Sequence, residues 1–213
     1  MDNGGGENRR QGATMTIWSD EFEAHGVHVG IIPLRLCHAP DLAEVIARGK
    51  LHQLQYAIIP EPAKIAEEIE RRTQLRSEGS MQPFAVLDKR TNQVVGMTTY
   101  MNIDAKTPRL EIGSTWYCPS VQKTALNTEC KLLLLSNAFE NLNCRAVEFR
   151  THVMNQQSRR AIERLGAKFD GILRAHMVMA NGSIRDTAVY SIIATEWPNV
   201  EAHLTRQLKK PHP

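Results

Sequence analysis

Hydrophobic and polar positions along the chain fall into two rhythms. A period of two marks extended segments. Val27–Arg35 alternates and is rich in β-branched residues, and Phe84–Leu87 and Gln93–Met101 flank a polar turn at Asp88–Asn92. Leu110–Tyr117 reads as a further strand, and in Arg145–His152 the residues Val147, Phe149 and Thr151 alternate with Glu148, Arg150 and His152. A helical period takes over elsewhere. Pro40–Ala47 gathers Leu42, Val45 and Ile46 on one face, and Pro62–Arg76 carries Ile65 and Ile69 against a solvated face of Glu67, Glu68, Arg71 and Arg72. Thr128–Leu142 aligns Leu132, Leu135, Phe139 and Leu142 as a buried stripe.

Asn155–Leu165 has both helix ends written into it. Asn155 is a good N-cap, Ser158, Ala161, Ile162 and Leu165 share a face, and Gly166 suits the left-handed position past the end. A hairpin follows, Phe169–Ala180 and Ile184–Ala194 around Asn181-Gly182, and Pro198 opens a terminal helix reaching Lys209. Strands and helices alternate in the middle while hairpins lie at both ends. That order predicts an α/β fold built on a mixed sheet with helices on its faces. Its centre is 110–166, where a strand, a phosphate-sized loop and a helix are followed by a second strand and helix.

Composition narrows the picture only modestly. The 213 residues suffice for one domain with a substantial core, and 42% hydrophobic with 23% charged is ordinary for a globular protein. A formal charge of +3, with both signs interspersed, lacks the dense basic patch of a general nucleic-acid binder. The Gly-rich start, residues 1–15, holds too little apolar surface to order itself. The expected organisation is that extension, a domain over 27–196, and a helix and tail over 197–213. Cys37, Cys118, Cys130 and Cys144 form no C-x-x-C pair, so neither a zinc site nor a redox motif is expected. Scattered thiols, no evident leader and no long apolar run suit a cytoplasmic chain with no membrane partner.

Several residues could carry chemistry. A helix N-terminus offers unpaired amides and partial positive charge, both suited to phosphate, and Gln122, Lys123 and Thr124 add donors just before one. Many such joints bind nothing. Asn155 and Ser158 read as a plain cap and a first-turn residue, or as an amide contact and a proton donor to a leaving thiolate. Glu111 and Glu148 stand among apolar neighbours on strands. Each is either a solvated outward carboxylate or a general base acting directly or through water. Cys118 is close enough to the central strand for a covalent route to be weighed, but no His partner at a telling position supports it.

Taken together, ordered blocks of this chain resemble the GNAT acetyltransferases, in particular their ribosomal-protein-alanine N-acetyltransferase branch. They are Leu-Glu-Ile-Gly (110–113), Gln122-x-x-Ala125-x-Asn127-Thr128-Glu129, Val147-Glu148-Phe149-Arg150, Asn155-x-x-Ser158-x-x-Ala161-Ile162-x-x-Leu165-Gly166-Ala167 and Gly171-x-Leu173-Arg174. The resemblance implies a twisted mixed sheet of about seven strands that splays midway to lodge acetyl-CoA as acyl donor. It implies a pyrophosphate loop on Gln122, Lys123, Thr124, Ala125, Leu126, Asn127 and Thr128, with Ala125 and Asn127 standing where the family places glycine and glycine or alanine. Backbone of Trp116 and Tyr117 would meet the pantetheine arm, and Asn155 would contact it. Ser158 would serve as acid, and Glu111 or Glu148 as base, with Glu111 slightly favoured. The acceptor would be a primary amine, on a protein N-terminus or a small molecule. A CoA-binding module without transfer is the alternative, and a homodimer through the edge strands or terminal hairpin stays open.

Overall fold

The computed structural model describes Trp18, residues 20–179 and residues 181–210; the expected extension over 1–15 and Ala180 of the hairpin lie outside these. The chain builds one mixed sheet in the order β1-β2-β3-β4-β5-β6-β8-β7. Its strands are β1 Ala24–His25, β2 Val29–Pro33, β3 Gln82–Asp88, β4 Gln93–Asp104, β5 Arg109–Tyr117, β6 Ala146–His152, β7 Lys168–Val178 and β8 Ile184–Ile193. Eight strands replace the expected seven or so because Ala24–His25 adds a two-residue edge to β2. All neighbouring strands run antiparallel except β5 and β6.

Helices cover both faces. Helix α1 (Ala39–Gly49) and helix α2 (Ile65–Ser77) bury Leu42, Ile46, Ile65 and Ile69 against Ala85, Met97 and Trp116. On the other face, helix α3 (Ala125–Ser136) and helix α5 (Trp197–Leu208) pack on Ile31, Phe84, Tyr100, Ile112 and Val147. Helix α4 (Gln156–Arg164) follows β6 and adds Ile162 to that core. Strand β3 is covered on both faces, which explains its near-continuous run of buried residues.

Helix α3 departs from the sequence expectation. It starts at Ala125 rather than Thr128, because Thr124 caps it: its Oγ1 accepts the Leu126 N–H at 3.3 Å. It ends at Ser136 in a widened π turn over Asn137–Asn141. The buried stripe is Leu126, Cys130, Leu134 and Ala138, joined by the expected Leu135 and Phe139, whereas Leu132 and Leu142 are only partly buried. A run of four leucines admits more than one helical register, and the start of the helix decides which face turns inward.

Two polar ties fix α3 on the sheet. The Tyr100 hydroxyl donates to the Leu134 carbonyl at 2.6 Å. The buried Glu129 carboxylate accepts the backbone N–H groups of Val27, His28 and Val29 at 2.9, 2.6 and 3.0 Å. Gly26 makes room for it, since a Cβ there would lie 2.3 Å from Glu129 Cδ.

Candidate active site

The parallel pair β5/β6 is joined through three residue pairs only: Arg109 with Ala146, Leu110 with Val147 and Glu111 with Glu148. Beyond Glu111 and Glu148 the two strands part, while each keeps its partner on the outer side through to its end. The facing edges of β5 and β6 therefore carry unpaired amides and carbonyls into a wedge. Parallel strands also send their following helices off the same end, so the starts of α3 and α4 both lie at the wide mouth of that wedge.

Strand β5 is not straight there. One extra residue stands on β5 between the pairs Met97–Trp116 and Thr99–Gly113, and Ser114 takes a left-handed φ of 47°. A second bulge lies opposite, on β4, where the register slips between Met101 and Asp104 and Asn102 has φ 49°. Asparagine tolerates that conformation, and it aims the Asn102 side chain at Glu111, donating to Oε2 at 2.8 Å.

At the fork the two carboxylates meet. Glu111 and Glu148 are each 6% exposed, so the solvated-surface reading of both is set aside. They line a cavity of about 350 Å3 with Asn102, Arg109, Leu110 and Arg150. Glu148 is heavily engaged: Arg109 donates to one oxygen, and Arg150 donates to the other from its terminal nitrogen at 2.7 Å and Nε at 3.0 Å. Glu111 has Asn102 and a looser Arg150 approach of 3.5 Å. Burial raises the Glu111 carboxyl above the ordinary carboxylate range, and the Arg150 charge, the Asn102 hydrogen bond and the Arg185 charge pull back only part of that rise. Half-buried Arg185 faces the same carboxylate, and its own acidity is increased mainly by burial. Farther along β6, the His152 ring packs on Tyr56 with centroids 4.7 Å apart. Burial and the Arg185 charge lower the affinity of His152 for a proton.

At the mouth, the loop after β5 turns on Lys123, which has φ 60°, while Ala125 already lies in the first turn of α3. Positive φ thus falls on exposed Lys123, and the Cβ of Ala125 meets no such constraint. Two of the expected side-chain donors are used internally. Gln122 Nε2 donates to the Tyr117 carbonyl at 3.0 Å, and the Thr124 hydroxyl donates to the Val121 carbonyl at 2.7 Å. What remains for an anion is the exposed Lys123 side chain and the first-turn N–H groups of Ala125 and Asn127, which have no helical acceptor, the Leu126 N–H being taken by Thr124. Asn155 caps α4, its Oδ1 accepting the Ser158 N–H at 3.0 Å, which directs the cap and Ser158 toward one helix end. Trp116 packs toward the α1/α2 face, and Tyr117 enters the α3 core beside Cys130. An open strand edge and an amide-rich turn at its end suit a long ligand with an amide-bearing arm and a diphosphate. Glu111 stands up to about 20 Å from Tyr117 at roughly 3.3 Å per residue, so the carboxylates sit at the narrow end of the wedge and the loop at its mouth.

The structure pairs Glu111 with Glu148 across β5 and β6, and the loop on one side and the Asn155–Ser158 helix start on the other follow the same end of those two strands. It adds Asn102, Arg109, Arg150 and Arg185, which no local pattern singles out. The sequence pattern predicts a strand ending at Met101, just short of Asn102, whereas β4 runs to Asp104; the alternating face Glu148–Arg150–His152 is the one signal that bears on Arg150.

Comparisons with known proteins bear on the family and the fold. The family model described as "Acetyltransferase (GNAT) domain" matches residues 28–168. A Bacillus subtilis (strain 168) protein whose name, ribosomal N-acetyltransferase YdaF, is itself an inferred one is 30% identical over 102 residues, or 48% of this chain. The matched part spans 55%, little more than half, of that relative. Among solved structures, a GCN5-related N-acetyltransferase from Brucella melitensis superposes with a TM-score of 0.79 at 29% identity, covering 89% of this chain and 86% of that one. Mycobacterium smegmatis RimJ in complex with CoA-disulfide shares the fold, with a TM-score of 0.75 at 20% identity over 90% of this chain and 96% of its own.

Proposed function

Because this chain belongs to the GNAT acetyltransferases and is an enzyme of that kind, we propose that it moves the acetyl group of acetyl-CoA directly onto a primary amine, with a protein N-terminus as the acceptor. The observation that carries the reading is the fork itself: two buried carboxylates at the point where β5 and β6 part, unequally held, beside an open strand edge. The choice of a protein N-terminus is supported by the name of the Bacillus relative.

Acetyl-CoA supplies a thioester, an acyl group already activated for attack. Backbone amides from Lys123 to Thr128 receive the diphosphate, with the helix dipole of α3 behind them. Unpaired backbone of β5 through Trp116 and Tyr117 pairs with the pantetheine arm as an added strand would. Glu111 takes the proton of the attacking amine, directly or through one water. It suits the task better than Glu148, whose oxygens are occupied by Arg109 and Arg150. Glu148 holds the two arginines in place, and Arg150 and Asn102 orient Glu111. The Ser158 hydroxyl assists the departing thiolate, and the Asn155 amide orients the arm.

Free-thiol release tests the reading, with acetyl-CoA and a panel of peptides bearing different N-terminal residues, polyamines and amino acids. Turnover with peptides above the small amines supports it. Turnover confined to small amines overturns the acceptor, and no thiol release with any acceptor overturns the transfer.

A further inference from the structure

Two cations are buried where β5 bulges, one on each side of the sheet, and neither has a part in the chemistry above. Arg72 of α2 is 4% exposed. Its terminal nitrogens donate to Thr99 Oγ1 at 2.8 Å and Ser114 Oγ at 3.1 Å, and its Nε donates to Glu68 at 2.7 Å. Lys131 of α3 is 5% exposed. Its Nζ donates to Thr115 Oγ1 at 2.7 Å and Thr98 Oγ1 at 3.2 Å, and those two hydroxyls lie 2.7 Å apart. Adjacent residues 114 and 115 on the bulged strand, and adjacent residues 99 and 98 on its neighbour, are thus gripped from opposite faces.

Core volume alone does not account for Lys131. It forms no ion pair among the described residues, and burial pulls its ammonium down to about 8. An apolar side chain would fill the space at less cost in desolvation. The bulge, by contrast, needs holding. Its extra residue leaves the β4 ladder locally broken, and the opposite edge of β5 has no strand to pair with beyond Glu111. An extra residue free to migrate along β5 would re-aim the amides that meet the acyl donor.

We propose that Arg72 and Lys131 are positioning residues that pin the β5 bulge from its two faces, so that the amides between Gly113 and Tyr117 that face the wedge, away from β4, keep one orientation toward the bound thioester. The proposal rests on the transfer reading for its purpose, but not for its geometry. Preorganised amides are worth most when they need not move during reaction.

Lys131→Met keeps the length of the side chain and removes its amine, and Thr115→Val keeps the shape and removes the acceptor. Each is expected to lower kcat by about ten-fold or more with the amine KM nearly unchanged, a loss of the size seen when one preorganised donor is disturbed. Lys131→Met should also melt no lower than the parent protein. Hydrogen exchange of the 113–117 amides, measured without ligand, should quicken at least ten-fold in both variants while β3 is unaffected. The double variant should be no worse than either single one, as for groups acting through one contact, and Thr115→Ser should restore the parent behaviour. Full kcat with parental exchange in Lys131→Met, or additive losses in the double variant, would overturn the clamp. The exchange arm needs no turnover. A parent protein that releases no thiol thus overturns the transferase reading, while the clamp is still judged on exchange.

Discussion

The two carboxylates that meet at the fork are equally buried but unequally held. Glu111 holds its proton more tightly in the folded protein than an ordinary carboxylate does, with burial the leading cause. Its contribution to stability is therefore complete below the ordinary value of 4.5 and is lost as pH rises through the raised value. Glu111→Gln is accordingly expected to gain stability over the parent on going from pH 4 to pH 7, as read by urea denaturation at the two values. The same variant should lose kcat by about 10²-fold, the usual share of a general base, and lose the rise of kcat/KM with pH that Glu111 imposes. Glu148→Gln should do the reverse. It leaves Arg109 and Arg150 without their carboxylate, but both guanidinium groups keep contact with solvent, so it is expected to destabilise by about 1 kcal/mol, in the range for a partly exposed pair. A parental pH profile in Glu111→Gln would remove Glu111 as the base. The sequence points to both glutamates, because a carboxylate between apolar neighbours on a strand stands out. It points less well to their partners: Arg150 shares a face with Glu148 two residues along β6, but Asn102 reaches Glu111 only through a bulge and Arg109 reaches Glu148 only from the neighbouring strand.

At the scale of elements, the strands and helices are legible because their periods are strong, and their edges are legible where a cap or turn residue announces them. Gly166 takes φ 97° past the end of α4, and Asn155 caps its start, as the residue types imply. Helix α3 is the exception. Thr124, Thr128 and the run of leucines offer several starts; the Thr124 cap sets the one used, and Glu129 holds it through amides about a hundred residues away, at Val27, His28 and the first residue of β2. That tie makes a prediction. Glu129→Ala would orphan the buried Val29 N–H and strip the half-covered N–H groups of Val27 and His28 of their acceptor, and should cost about 1–2 kcal/mol in chemical denaturation, most of it from the one buried donor. Gly26→Ala should be destabilising through the same contact, since the added carbon has nowhere to go unless the carboxylate leaves. A Glu129→Ala protein of parental stability would show that the start of β2 is held by something else.

Across the whole molecule, the mixed sheet with helices on both faces follows from hairpins at the ends and a strand–helix alternation in the middle. The wedge does not. Where a parallel pair stops pairing is a matter of twist and of the two bulges, and neither leaves a mark that alternation alone reveals. The wedge has a mechanical meaning as well. With three residue pairs joining β1–β5 to β6–β8–β7, the sheet is two rafts lashed at one corner, and whatever lies in the gap becomes the mortar between them. Occupancy by CoA should then do more than add its own binding free energy to the melting point. It should make the rafts come apart as one, sharpening the thermal transition and slowing exchange in β8 and β4 together, although the ligand itself would touch few residues of either.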